Sequence, residues 1–189
     1  MEEAELIGEL KRASDAAYAE LLRLHARSVI NTCYRMLLNQ QDAEDVAQEV
    51  FIEVLQSIGS FRSDSKLSTW LYRIAVSRSL DELKKRKRAK RFAAFARFLS
   101  VDDMSDTLQG GPTADVTIRE AERMRALQKL LDTLPDNQRV AFSLSKMEGF
   151  TSQEIAEIMK TTTVAVDSLI YRAKQRLSDE LRNILSDDS

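Results

Sequence analysis

The stretch that most limits how this chain can fold runs from Phe61 to Arg91, FRSDSKLSTWLYRIAVSRSLDELKKRKRAKR. A polar loop, Phe61 to Ser68, leads into a segment free of Gly and Pro, and Ser68 is the expected N-cap, its hydroxyl accepting from a free first-turn amide. At about 100° per residue, Leu67, Trp70, Leu71, Ile74 and Ala75 gather on one side of a helix. Tyr72, Val76, Leu80 and Leu83 gather on nearly the opposite side. So much apolar surface predicts a helix packed on two flanks. The stripe left over is polar, Arg73, Ser77, Asp81, Lys84 and Arg88, and this stripe with the preceding loop is expected to face nucleic acid.

Five Gly, two Pro and few aromatics among 189 residues, with many Ala, Leu, Arg, Glu and Lys, favour an all-α chain. That length holds one or two small domains. A net charge of −2 argues against a wholly basic nucleic-acid binder and leaves room for local patches of either sign. The single cysteine, Cys33, excludes an internal disulfide framework and is expected to be a buried structural thiol. The only histidine, His25, reads as a packing or surface residue. No apolar run nears membrane-spanning length and no charged-then-apolar leader opens the chain, so a soluble, cytoplasmic protein is expected.

In chain order, residues 2–12 form a short acidic helix. A second helix spans Asp15 to Leu38 and is broken by Asn39 and Gln40. Asp42 is expected to cap a third, reaching about Ser57 and ended by Gly59. Its outer face carries Asp42, Asp45, Gln48, Glu49 and Glu53. After the long helix, residues 93–117 change character: Asp102, Asp103, Asp106 and Asp115 with Gly110, Gly111 and Pro112 make an acidic, flexible linker between two domains. An amphipathic helix carries Ile118, Ala121, Met124, Leu127, Leu130, Leu131 and Leu134 and stops before Pro135. The next, Asp136 to Lys146, is expected to bury Val140, Ala141, Leu144 and Met147. Ser152–Met159 and Thr163–Ile184, joined by Lys160, Thr161 and Thr162, have the spacing of a helix-turn-helix.

Four blocks in order, DAEDVAQEVF at 42–51, residues 61–88, LPDNQRVAF at 134–142 and Phe150 to Leu177, resemble an extracytoplasmic-function (ECF, group IV) sigma factor of the sigma-70 family. The resemblance covers nearly the whole chain except the linker. It implies two helical domains: residues 1–92 as a region 2 bundle, 93–117 as a linker, and 118–189 as a region 4 domain with a helix-turn-helix. It also implies a specificity subunit of RNA polymerase, not an enzyme, that recognises the −35 and −10 promoter elements and melts the promoter. Its partners are the core enzyme (β′ clamp and β subunits), promoter DNA and an anti-sigma factor.

By the same resemblance Asp42, Asp45, Gln48 and Glu49 meet the β′ clamp, with Phe51 or Val50 as apolar anchor. The loop at 61–68 cradles a base extruded from the non-template strand, with Arg62, Ser63, Asp64 and Lys66 as contacts. Arg73, Ser77, Lys84 and Arg88 border that strand. Many relatives have Asn where Ser77 stands. Trp70, on the apolar side, reads as core rather than as a stacking platform. Seven cations crowd residues 84–91, either a solvated charge run or phosphate clamps that position without reading sequence. On the last helix, Thr163, Asp167, Ser168, Tyr171, Arg172, Lys174 and Gln175 face the −35 element. An Asp accepts from a cytosine amine and cannot donate to guanine, so Asp167 implies a −35 sequence unlike that of more basic relatives. Lys160 stands where many such turns have Gly.

No metal-ligand spacing, Gly-rich phosphate loop or nucleophile–base pair is present, so no cofactor and no catalytic set are expected. Two other classes compete. A recombinase needs a reactive cluster that residues 1–92 lack. A regulator acting without polymerase would bind duplex DNA tightly by itself, usually as a dimer.

Overall fold

The computed structural model describes residues 2–99 and 126–187, with side chains at 93–99 and 184–187 set aside. Residues 100–125, with Asp102, Asp103, Asp106, Asp115, Ile118, Ala121 and Met124, fall outside the described residues, whereas 93–99, expected to begin the linker, continue α4. Within them all regular structure is helical. The order is α1 Glu3–Lys11, α2 Asp15–Leu37, α3 Gln40–Ser57, a single 3-10 turn Ile58–Ser60, and α4 Leu67–Leu99. A helical segment at 126–132, here α5, leads to α6 Asp136–Lys146, α7 Ser152–Met159 and α8 Thr163–Asp187.

Side-chain caps set the boundaries. Ser14 accepts the amide of Ala17 and starts α2. Leu38, left-handed at φ 55°, ends it. Asn39, expected only to break the chain, caps α3 by accepting the amide of Asp42 at 3.0 Å. Asp42 therefore lies in the first turn and is not the cap. Ser68 is likewise not a cap: α4 begins at Leu67, whose N–H donates to the Glu3 carboxylate 64 positions upstream at 3.1 Å. Gly59 sits inside the 3-10 turn that follows α3 rather than ending the helix itself.

α2, α3 and α4 pack on one another, with α1 against α2 and the 3-10 turn. Their core joins Leu21, Val29 and Cys33 to Val50, Val54, Leu67, Leu71 and Ala75, all within 2% of full burial. Burial pushes the Cys33 thiol up to about 11, which keeps it protonated and inert. In the second half α6, α7 and α8 pack together. Val140, Ala141 and Leu144 are buried as expected, whereas Met147 lies past the helix end and is 37% exposed.

The second flank of α4 is covered by the other half of the chain. Tyr72 and Val76, with Met36 of α2, share one cluster with Val140, Ala141, Leu144, Ile155, Ala156 and Ile158. The rings of Tyr72 and Phe150 meet edge to face at 4.9 Å. The doubly apolar helix is thus the spine on which both halves rest. Glu148, in the turn after α6, sits at the seam. Its carboxylate accepts from the Thr32 hydroxyl at 3.0 Å, the Tyr72 hydroxyl at 2.9 Å and the Arg35 guanidinium. Burial, and then the Glu148 charge, raise the Tyr72 phenol well above its ordinary value.

Lys160 takes a left-handed backbone, φ 52° and ψ 52°, as the C-cap of α7. The next amide, Thr161, then reaches back to the Ala156 carbonyl at 2.9 Å. The conformation explains why glycine suits this turn, since a Cβ there is strained. Lys160→Gly is expected to stabilise the chain by about 0.5–1 kcal/mol, read as a higher midpoint in thermal unfolding. An unchanged or lower midpoint would mean that lysine bears the left-handed turn without cost.

Candidate promoter-DNA and polymerase interfaces

The loop between the 3-10 turn and α4 folds into an open cavity of about 230 Å³. Its walls are Ser60, Phe61, Arg62, Asp64, Ser65, Trp70 and Arg73. Phe61 and Trp70 are buried and in contact, ring centroids 5.0 Å apart. They form an apolar floor, while Arg62, Asp64 and Arg73 supply charge at the mouth. A planar, polar-edged group of the size of a nucleobase suits such a recess: aromatic floor, charged rim, open to solvent. Trp70, 7% exposed, belongs to the core as expected and contributes to the floor from below. Ser63 bends the loop with φ 59° and is not among the lining residues.

Lys66 is turned away from the cavity's business. Its ammonium bonds Glu154 of α7 at 2.7 Å. Glu154 also accepts the Thr151 amide at 2.9 Å, closing a capping box at the start of α7. Lys66 first, then that amide, hold the Glu154 carboxyl down at about 2.

Along α4, Ser77, Asp81, Lys84 and Arg88 are exposed and Arg73 half-buried, so the polar stripe stays open between the two packed flanks. Lys84 and Arg88 follow Arg73 by roughly 16–22 Å at ~1.5 Å rise per residue. Not all of the cationic run is available. Arg86 turns inward, donating to the Leu37 carbonyl at 2.9 Å and pairing with Asp42. Lys87 pairs with Asp136 of α6. Lys84 and Lys85 bond Asp81 and Glu82 on their own helix.

The outer face of α3 differs from the expected one. Asp45, Gln48 and Glu49 are exposed, but the Asp42 carboxylate is engaged by Arg86. Phe51 and Val50 are 5% and 0% exposed and belong to the core, so neither is an anchor for a partner. The apolar side chains on the open face are Ile52, 53% exposed, and Leu55, 41% exposed. Ile52 follows Asp45, Gln48 and Glu49 at spacings of seven, four and three, on one helical face.

On α8, Thr163, Asp167, Ser168, Tyr171, Arg172, Lys174 and Gln175 are all exposed on the second helix of the helix-turn-helix. Thr162, not Thr163, caps it, accepting the Ala165 amide at 3.2 Å. The Asp167 carboxylate accepts from Ser152 at 2.6 Å, and Gln175 donates to the Tyr171 hydroxyl at 3.1 Å. Among the described residues no His, Cys, Asp and Glu cluster could hold a metal, and no helix is long and apolar enough to cross a membrane.

Two helical units, one built around an open polar stripe and one a helix-turn-helix, define a class that comparison makes specific. The sequence model of Sigma-70 region 2 matches residues 21–89, and that of Sigma-70 region 4 matches 124–177. The chain is 30% identical to the ECF RNA polymerase sigma factor SigW of Bacillus subtilis, over 94% of this chain and 96% of that protein. It is 28% identical to the RNA polymerase sigma-H factor of Pseudomonas aeruginosa, over 97% and 96%. CnrH, solved with the cytosolic domain of CnrY, shares the fold at a TM-score of 0.71 and 19% identity, covering 96% of this chain and 97% of that one. The sigma factor RpoE of Bartonella quintana, solved with the anti-sigma factor NepR, shares it at 0.66 and 21%, covering 87% and 96%. This chain belongs to the ECF sigma factors of the sigma-70 family.

Proposed function

We propose that the chain joins core RNA polymerase through α3, reads a −35 element with α8, and captures a −10 base in the loop cavity while α4 holds the opened strand. The supporting observation is the recess that gathers Arg62, Asp64 and Arg73 over the Phe61–Trp70 floor, directly beside the exposed stripe. Extruding a base costs a few kcal/mol, offset by contacts to its face and edge and by cations along the backbone. Lys84 and Arg88 supply backbone contacts farther along the strand, and Tyr171, Arg172 and Lys174 carry the duplex end. Residues 1–92 and 118–189 are the two working units in this reading, with 93–117 between them. The chain acts in the cytoplasm, where its polymerase is, and supplies recognition rather than catalysis. An anti-sigma factor is a further partner, by analogy with the sigma factor RpoE solved with the anti-sigma factor NepR.

The docked halves cannot read both elements at once. Lys66 touches Glu154 at the start of α7, and Ser152 of the same turn touches Asp167 on α8. Only the first turn of α7 therefore separates the −10 loop from the −35 helix. Elements centred roughly 25 base pairs apart lie ~85 Å apart at ~3.4 Å per pair. The halves must separate on the promoter.

Run-off transcription with purified core enzyme on a pool of genomic promoters tests the reading, and no transcript above core alone would overturn it. Within the reading, Ile52→Asp is expected to weaken core binding by tenfold or more, because it places a charge at the centre of a desolvated patch. Stability should change by less than about 0.5 kcal/mol at so exposed a site. Titration with labelled core reads the affinity, and an unchanged value removes α3 from the interface.

A further inference from the structure

The loop that forms the cavity is bound at both ends by a helix with no part in the reading above. The Lys11 ammonium, at the end of α1, donates to the Phe61 carbonyl where the loop begins, at 2.8 Å. The Glu3 carboxylate, at the start of α1, accepts the Leu67 amide where the loop ends, at 3.1 Å. The two stand eight positions apart along α1, about 12 Å at ~1.5 Å rise, so one rigid rod spans the loop. The rod is anchored: Leu6, Ile7 and Leu10 are 3%, 8% and 2% exposed in the core of the first half. The bonds land on the backbone, so they set where Phe61 and the first turn of α4 stand whatever side chains the loop carries. Between these points lie Arg62 and Asp64, and Trp70 follows one turn after Leu67.

We propose that Glu3 and Lys11 are positioning residues that brace the loop cavity in the shape that receives the extruded −10 base. This deepens the proposed function and rests on that assignment of the loop. A recess preformed by two fixed ends receives a base without first ordering the loop, whereas a loose loop must be ordered at the moment of capture. The bracing should therefore act on promoter opening and not on duplex docking, which α8 performs.

The chain contains one tryptophan, Trp70 in the cavity floor, so its fluorescence reports the loop with no added label. In the free full-length protein, Glu3→Ala with Lys11→Ala is expected to increase quenching of Trp70 by acrylamide severalfold. Melting temperature should stay near that of the parent, because both side chains lie at the edge of the core. In holoenzyme carrying the same double variant, promoter opening followed with a fluorescent base should slow by about tenfold or more, since two charge-assisted hydrogen bonds are lost. Duplex affinity of the closed complex should be unchanged. Lys11→Arg, which keeps a donor to the Phe61 carbonyl, should restore most of the opening rate when paired with native Glu3.

Unchanged quenching and opening in the double variant would overturn the bracing. So would a loss of closed-complex affinity equal to the loss of opening rate, or no difference between Lys11→Ala and Lys11→Arg. If the parent protein itself opens no promoter, the assignment of the loop to −10 capture fails, while the quenching measurement still decides whether α1 holds the loop.

Discussion

Glu148→Ala is expected to part the two halves of the chain. The Glu148 carboxylate accepts three bonds, from Thr32, Arg35 and Tyr72, and all three donors belong to the first half. Its side chain is 11% exposed and that of Arg35 19%, so the pair is largely withdrawn from water. Removing one member of such a pair strands the other charge, at a cost on the order of 3 kcal/mol. At about 1.4 kcal/mol per decade the docking equilibrium would move by roughly a hundredfold or more. The remaining polar ties across the seam are weaker: Tyr34 donates to Gln128 at 3.0 Å, Gln128 to the Leu38 carbonyl at 2.8 Å, and Lys87 pairs with Asp136. Lys66 with Glu154 is solvent-exposed on the lysine side, and exposed pairs are worth about 0–1 kcal/mol. The apolar contacts of Tyr72 and Val76 with Val140 and Leu144 stay, but they do not fix a register by themselves. Small-angle scattering of the free protein should show a larger radius of gyration for the variant. On the proposed reading the promoter needs the halves apart, so transcript yield at limiting subunit should rise. An unchanged radius would show that the other contacts across the seam hold the halves without Glu148.

Trp70→Ala is expected to destabilise the first half by about 3–5 kcal/mol, the cost of removing a large aromatic from a packed core. Trp70 is 7% exposed and touches Phe61, itself 6% exposed. The same change removes the cavity floor, so promoter opening should be lost even below the variant's melting temperature. Trp70→Phe should recover most of the stability. Chemical denaturation measures the first effect, and a variant as stable as the parent would mean that the ring serves the strand and not the core.

Much of the fold was legible from periodicity, because apolar spacing in a helix obeys its own geometry. Ser152–Met159 and Asp136–Lys146 appear with the bounds that caps and Pro135 predict. Errors fell at helix ends and at the choice of exposed face. Ser68 and Asp42 looked like caps from composition, yet Glu3 and Asn39 perform those tasks. The family resemblance implies Phe51 as an anchor, yet Phe51 is 5% exposed and its neighbour Ile52 53%. Met147 was assigned to the core although its helix ends one residue earlier.

The local code of this chain decided that it is helical, where most of its helices begin and end within about three residues, and which family it resembles; the far end of α4, at Leu99, lies several residues beyond the expected one. Those properties follow from hydrogen bonds and side chains a few positions apart. Tertiary structure alone decided what covers the second flank of α4, which carboxylate lies at the seam, and which helix steadies the loop. Glu148 meets Thr32 across 116 positions and Glu3 meets Leu67 across 64. Such pairings are selected by the shape of the folded core, and no spacing rule along the chain encodes them.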